Sequence, residues 1–295
     1  MPGALRLLQP TTPSEASAAL RELGERAKIY AGGTELLFLL RQGLAQGDFL
    51  VNVKTIPELH RVLWNGNALR IGACVTHHEL ETNPLIRQYA PMFARAESQV
   101  ANIRVRNQGT LGGNLCFNDP HSDPGTALLV YEASVMIGGR SGQRHLPLDQ
   151  FLLDMYTTAL GEDELLLEVQ IPPLPPGWNS AYLRLHRYQR PTLGVAAAIK
   201  EKNGNIEDVR AAVGCVGPKV QRLAELESRL RGAKLDEAGK IIGEAKGYLR
   251  ELLCPVDDLL GSADYKLYMT GVLLRQAVEK ALSGDNKNRD EHGIG

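Results

Sequence analysis

Apolar residues recur with a helical period in Ser14–Leu23, where Ala16, Ala19, Leu20 and Leu23 share one face. Ser14 is the expected N-cap and Gly24 the expected stop. AKIYAGG then carries a short apolar strand into two glycines. TELLFLLRQGL resumes a helical pattern, with Thr34 as the expected cap and Gly43 near its end. Asp48–Val53 (DFLVNV) is a second apolar strand. A strand on each side of a helix predicts a βαβ unit with a parallel pair.

HRVLW and NALRIGACV, split by Asn65-Gly66, read as short strands, and THHELETNP as a helix opened by Thr76 and stopped near Pro84. Residues 85–100 are mainly helical in pattern. In DPGTALLVYEA, Asp123 precedes Pro124 and an apolar run, which is the pattern of a helix start. SVMIGG and GQRHLPL predict a hairpin turning near Gly138–Gly142, and FLLDMYTTAL and ELLLEVQIP complete this half.

PPLPPG (172–177) removes backbone donors and restricts the chain, so the main boundary is placed there. Beyond it SAYLRLHRYQ, GVAAAIKEK and IEDVRAAVGCV have strand character, with Asn203-Gly204 as a hairpin turn. Gln221–Leu230, Asp236–Leu252 and Ala263–Leu282 are helical in pattern. A small sheet followed by helices makes this part α+β. The polar tail, 284–295, is expected to be disordered.

The length of 295 residues favours two or three compact units. A net charge of -1 gives no general reason to expect nucleic acid or an anionic membrane as a partner. No apolar run approaches the roughly 20 residues that span a bilayer. The opening MPGALRLLQPTTPSEA has no long apolar stretch, so no signal peptide is expected and the expected location is cytoplasmic. Cys74, Cys116, Cys215 and Cys254 are widely separated, without the close spacing of zinc or iron–sulfur sites, and are expected to be free thiols.

Two segments carry candidate chemistry. Ala31-Gly32-Gly33-Thr34 lies between a strand and a helix, where glycines and a helix start offer backbone N–H groups to a phosphate or diphosphate. A tight turn without a ligand is the other reading. Neither G-x-G-x-x-G nor G-x-x-x-x-G-K-S/T is present, so a Rossmann dinucleotide site and a P-loop lose support. Thr110-Leu111-Gly112-Gly113-Asn114 forms a second glycine loop. Residues 110–125 (TLGGNLCFNDPHSDPG) admit a metal site through Asp119, His121 and Asp123, a turn between two elements, or the floor of an anion pocket. His77-His78 opens a predicted helix and reads as surface or capping.

AGGTELLFLLRQG (31–43) together with VRNQGTLGGNLCFNDPHSDPGTALL (105–129) resembles the FAD-binding medium subunit of molybdenum hydroxylases. These are enzymes of the xanthine dehydrogenase, carbon monoxide dehydrogenase and 4-hydroxybenzoyl-CoA reductase type. FLLDMYTTALGEDELLLEVQIP (151–172) and CPVDDLLGSADYKLYMTGVLLRQAV (254–278) resemble the same family in the same order. The resemblance covers nearly the whole chain. It implies an α+β fold. A two-part FAD-binding domain of the vanillyl-alcohol-oxidase/MurB (PCMH) type would span 1–176, with subdomains of about 1–55 and 56–176. A CO-dehydrogenase-flavoprotein-type α+β domain would follow at 177–283.

It also implies FAD contacts. From the first motif these are Ile29, Tyr30, Ala31, Gly32, Gly33, Thr34, Glu35 and Leu36; from the second they are Thr110, Gly112, Gly113 and Asn114. Asp123 matches an Asp that contacts the flavin cofactor, and Val100 and Leu160 match apolar lining positions. Arg184 stands where the family often has a Lys near the flavin, a departure that keeps charge but changes donor geometry. Tyr188, with Arg187 and Arg190 beside it, is either a residue near the flavin ring or a half-exposed strand tyrosine. No metal site and no catalytic side chain is expected on this chain, because FAD would carry the chemistry. The molybdenum cofactor and two 2Fe–2S clusters are expected on a large and a small partner subunit, as a dimer of heterotrimers. A scaffold subunit without a redox role, and a stand-alone flavin oxidase, are the alternatives.

Overall fold

The computed structural model describes residues 5–185 and 190–283. Arg187, Tyr188 and the tail at 284–295 lie outside the described residues.

The chain begins with β1 (Arg6–Leu8), α1 (Pro13–Leu23), β2 (Ala27–Tyr30), α2 (Leu36–Arg41) and β3 (Phe49–Asn52). The strands form a parallel sheet in the order β1-β3-β2, with Ala27 opposite Phe49 and Tyr30 opposite Asn52. This is the βαβ unit expected from the apolar pattern. Gly24 closes α1 as expected, but the N-caps of α1 and α2 differ from the expected ones. Helix α1 is capped by Thr12, whose hydroxyl accepts from Glu15 N, with Pro13 preset for the first turn; Ser14 lies inside the helix. Helix α2 starts only at Leu36, and Thr34 does not cap it. Gly33 at φ +75° turns the chain so that Thr34 and Glu35 remain in a turn ahead of the helix. Ala16 and Leu20 of α1 and Val51 of β3 pack with Leu59, Cys74 and Leu165 from the next layer.

That layer comprises β4 (Val62–Trp64), β5 (Leu69–Gly72) and helices α3 (His77–Thr82), α4 (Pro84–Tyr89), α5 (Pro91–Glu97), α6 (Ile103–Arg106), α7 (Leu111–Phe117) and α8 (Pro124–Val130). They are followed by β6 (Ser134–Gly139), β7 (Gly142–Pro147), α9 (Leu148–Phe151), β8 (Leu152–Asp154), β9 (Thr157–Thr158) and β10 (Leu165–Ile171). The antiparallel sheet β4-β5-β10-β6-β7 packs its Ile71, Val135 and Val169 against Leu80, Phe93 and Leu128 of the helices. Thr76 and Glu79 close a full capping box on α3, and Asn83 and Pro84 start α4. The helical stretch 85–100 is two helices, because Pro91 lacks the N–H needed to continue the first.

After the prolines come β11 (Trp178–Leu185), β12 (Leu193–Lys202), β13 (Asn205–Gly214), β14 (Gln221–Arg222), α10 (Ala224–Leu230), α11 (Ala238–Glu244), α12 (Lys246–Leu253) and α13 (Ala263–Leu282). The sheet β11-β12-β13-β14 is antiparallel. Gln221 and Arg222, expected as helix, pair instead with Val213 and Ala212. The segment Asp236–Leu252 is two helices with Ala245 between them. Strand β12 is buried on both faces. Val195, Ala197 and Ile199 join the core under α13, while Ala196 and Ala198 join the core containing α8. Small residues are required on the α8 side, where a Cβ on Gly214 would overlap the Thr126 hydroxyl. Helix α8 is thereby seated against the β11-β12-β13-β14 sheet, and the loop leading into it is held at a defined place.

Candidate functional site

The two glycine segments meet in space. A Cβ on Gly32 would overlap the Gln108 carbonyl oxygen, and an ideal Cβ on Gly113 would lie 3.9 Å from the Ala31 Cβ. Between them opens a cavity of about 410 Å³, within the roughly 300–1,000 Å³ usual for small-molecule sites. Its walls bring together Ile29, Ala31, Gly32, Gly33, Thr34, Glu35, Leu36, Val100, Thr110, Gly112, Gly113, Asn114 and Asp123. These are thirteen of the sixteen residues expected to contact the cofactor. Its body is apolar, with Leu39, Val53, Leu59, Val105, Phe117, Leu165 and Leu166.

Three expected residues do not line it. Tyr30 lies beneath the first segment, its ring next to Gly33 and under the Lys54 ammonium at 3.3 Å from the centroid. Leu160 borders a separate surface hollow with Arg144 and Glu164. Arg184 is buried behind the wall, where its Nη1 lies 3.1 Å from Asp123 Oδ2 and also donates to the Gln99 carbonyl.

The two segments do different work. Among the described residues the N–H groups of Gly32, Gly33, Thr34 and Glu35 find no protein acceptor. They form a row of unpaired donors at the cavity, suited to an anion. Lys54 lies behind them, donating to the Ala31 carbonyl at 2.9 Å and fixing the loop. The second segment is not a loop. Leu111–Phe117 is helix α7, capped by Thr110, whose Oγ1 accepts from Gly113 N at 3.1 Å. Its other early donors are also satisfied, Leu111 N by the Val75 carbonyl and Gly112 N by Ala73. What this segment supplies is room. A Cβ on Gly112 would sit 2.6 Å from the Ala73 Cβ, so α7 docks against Ala73 only with glycine there. Gly112→Ala is expected to destabilise the fold by about 1–3 kcal/mol through overpacking, read as a lowered urea midpoint.

In the chain from Asn118 to Asp123 the three candidate metal-binding side chains turn to different partners. Asp119 accepts from His121 N at 2.9 Å and pairs with Arg190 at 2.8 Å. His121 Nε2 lies 3.1 Å from Asp258, which in turn pairs with the buried Lys266 at 2.6 Å. Asp123 accepts the Tyr182 hydroxyl at 2.5 Å, in addition to Arg184. The three side chains thus have separate partners. Among the described residues no group of His, Cys, Asp and Glu is arranged to hold a metal ion. Asp123 stands at the start of α8 without making a side-chain cap bond. Tyr182 and Arg184 take its oxygens instead. Burial pushes its carboxyl up to about 6, against the opposing pull of Arg184 and Tyr182.

His77 departs from its expected surface role. It is buried, lines the cavity, and its Nδ1 lies 2.6 Å from the buried Glu97 carboxylate. Burial also raises the Glu97 carboxyl above its usual range. His78 does lie at the surface, paired with Glu81 at 2.7 Å. All four cysteines are free, and burial holds the thiols of Cys74 and Cys116, both on the cavity wall, up at about 12. Both therefore stay protonated at neutral pH and offer no thiolate nucleophile. Sequence reasoning missed Lys54, His77–Glu97 and the Asp258–Lys266 anchor. Only the last had a signal, since both residues stand in the C-terminal motif at 254–278.

Unpaired loop donors, a facing glycine and an apolar cavity body suit a ligand with a diphosphate and an aromatic ring system. The family described as the FAD binding domain in molybdopterin dehydrogenase matches residues 3–174. That of the CO dehydrogenase flavoprotein C-terminal domain matches residues 182–281. The carbon monoxide dehydrogenase medium chain of Hydrogenophaga pseudoflava is 33% identical over 92% of this chain and 95% of its own. The nicotine 6-hydroxylase medium subunit of Paenarthrobacter nicotinovorans is 30% identical over 94% of this chain and 97% of its own. A solved carbon monoxide dehydrogenase from Hydrogenophaga pseudoflava, lacking the Mo-pyranopterin moiety of its molybdenum cofactor, superposes with a TM-score of 0.91. It is 30% identical, covering 96% of this chain and 99% of that one. Fold and cavity therefore define an FAD-binding oxidoreductase subunit. The chain belongs to the family of FAD-binding medium subunits of molybdenum hydroxylases.

Among the described residues no helix is long and apolar enough to cross a membrane.

Proposed function

We propose that this chain is the electron-transfer subunit of a molybdenum hydroxylase-type enzyme. It would hold FAD in the cavity between Ala31–Leu36 and Thr110–Asn114 and pass electrons between 2Fe–2S clusters and an external partner such as NAD⁺, a quinone or O₂. The observation that carries the reading is the row of unpaired N–H groups at Gly32–Glu35 facing side-chain-free Gly113. Bound FAD supplies the redox chemistry. The chain's residues bind and orient. Gly32–Glu35 donate to the diphosphate, and Lys54 keeps their loop in place from behind. Val100, Leu165 and Leu166 exclude water from the apolar body. Asp123, fixed by Tyr182 and Arg184, presents a polar edge at the far wall. Ser122 orients Asn114 by donating to its Oδ1 at 2.6 Å.

The iron–sulfur clusters and the molybdenum cofactor would belong to a small and a large partner, assembled as a dimer of heterotrimers in the cytoplasm. Support comes from the medium chains and subunits among the relatives. Purified chain is expected to show a flavin absorption spectrum, with the flavin released by denaturation. Colourless protein that FAD cannot reconstitute would overturn the reading.

A further inference from the structure

The glycine segments bring donors and room to the cavity, but no positive charge. The charged side chains on its wall are Glu35, Asp119, Asp123 and Arg190. Asp123 is compensated from behind by Arg184. Among the described lining residues Arg190 is the one Arg or Lys. A diphosphate brought to the Gly32–Glu35 donors would otherwise face the carboxylates of Glu35 and Asp119, and like charges at short range repel.

Arg190 spans the mouth. Its Nη1 lies 2.8 Å from Asp119 Oδ2 and its Nη2 3.5 Å from Glu35 Oε1. The two contacts are unequal. The Asp119 side chain is 11% exposed and held by the His121 N–H, whereas Glu35 is 41% exposed and its contact is loose. The Tyr156 hydroxyl lies against the same guanidinium. Glu35 also carries the last of the unpaired N–H groups, so the guanidinium hangs beside the donor row. A guanidinium has five donors in a planar fork. It can keep one edge on Asp119 while offering another to a phosphate.

We propose that Arg190 is the charge clamp of the site. Anchored on Asp119, it exchanges its loose contact with Glu35 for the diphosphate of the cofactor and closes the mouth over it. The inference rests on the FAD reading above and adds a residue that the glycine motifs do not contain. Asp119 is then a positioning residue, anchored in turn by the loop that His121 ties to Asp258 of the second domain.

The test uses the full chain, stripped of flavin and titrated with FAD at low and high ionic strength, with Arg190→Gln, Arg190→Lys and Asp119→Asn. Flavin fluorescence gives the dissociation constant, and the melting midpoint of each flavin-free protein establishes that it is folded. Loss of one charge-assisted contact predicts about tenfold weaker binding for Arg190→Gln. Its affinity should also respond less to salt than that of the wild type, because the screened charge is gone. Arg190→Lys should recover part of the loss. Asp119→Asn is the sharper arm. Removing a negative charge near an anion would tighten binding, but removing the anchor of the clamp weakens it, and weakening is expected. Arg190→Gln binding FAD within twofold of wild type, with the same salt response, overturns the clamp. So does Asp119→Asn binding more tightly. Wild-type chain that takes up no FAD would instead remove the FAD reading itself.

Discussion

Gly113→Asp is expected to leave a folded chain that no longer takes up FAD. Gly113 is the third residue of α7, behind the Thr110 cap. An acidic residue in the first turn of a helix is favourable, so the fold should change by no more than about 1 kcal/mol. The new Cβ would lie 2.9 Å from Thr110 Oγ1, and the cap hydroxyl must shift slightly to admit it. Beyond it the carboxylate enters the gap facing Ala31. There it occupies the diphosphate position and itself accepts from the unpaired N–H groups of Gly32–Glu35. Steric exclusion and charge repulsion act together, so affinity should fall on the order of 100-fold, or about 3 kcal/mol. The flavin-to-protein ratio after desalting, with melting as the fold control, measures it. A ratio equal to wild type would mean that the cofactor does not lie between these two segments.

Arg184→Met is the second large effect, and it is on stability. The Arg184 and Asp123 side chains are 1% and 4% exposed. Removing one partner of so buried a pair leaves a charge in low dielectric, at a cost of about 3–5 kcal/mol near pH 7. The pH dependence identifies the cause. In the folded wild type the Asp123 carboxyl titrates at about 6, above its ordinary 3.8. The folded state therefore binds the proton more tightly than the unfolded chain does. This group's contribution is fully present below pH 3.8 and is lost as pH rises from 3.8 to about 6. In Arg184→Met the anion has lost its cation, so the raised value should climb further. The variant's deficit against wild type is then larger at pH 7 than at pH 4.5. Urea midpoints at the two pH values test this. An equal deficit at both would mean that lost packing, and not the unpaired carboxylate, causes the instability. Asp123→Asn with Arg184→Met should recover part of the loss at pH 7, because position 123 then carries no charge.

The difference between what the residues announced and what the structure added follows the range of the interactions. The β2–α2–β3 unit, the Thr76 capping box and the hairpin at Gly138–Gly142 depend on neighbours within a few residues, and their patterns were legible directly. So were the two glycine segments as places of close backbone approach, and the structure brings both to one cavity, since absence of a side chain is itself a sequence fact. Their division of labour was not. Whether an N–H is spent inside the protein depends on Ala73 and Val75 arriving opposite α7, and no local pattern states that. The same holds for Thr34, which looks like a cap but lies in a turn once Gly33 takes a positive φ.

The charges were least legible. His77 looks like a surface residue at a helix start, and only the packing of α3 on α5 buries it against Glu97. Asp123 has the sequence context of a helix cap, and only β11, beyond the prolines, brings the Tyr182 and Arg184 that take its oxygens. By itself the sequence determined most of the elements, the βαβ order, the two glycine segments and the family. Tertiary structure decided which backbone donors stay unpaired, which carboxylates are compensated, and that Arg190 reaches across to both walls. The physical reason is that burial and pairing of polar groups are set by whatever packs opposite them, and those partners lie tens to more than a hundred residues away along the chain.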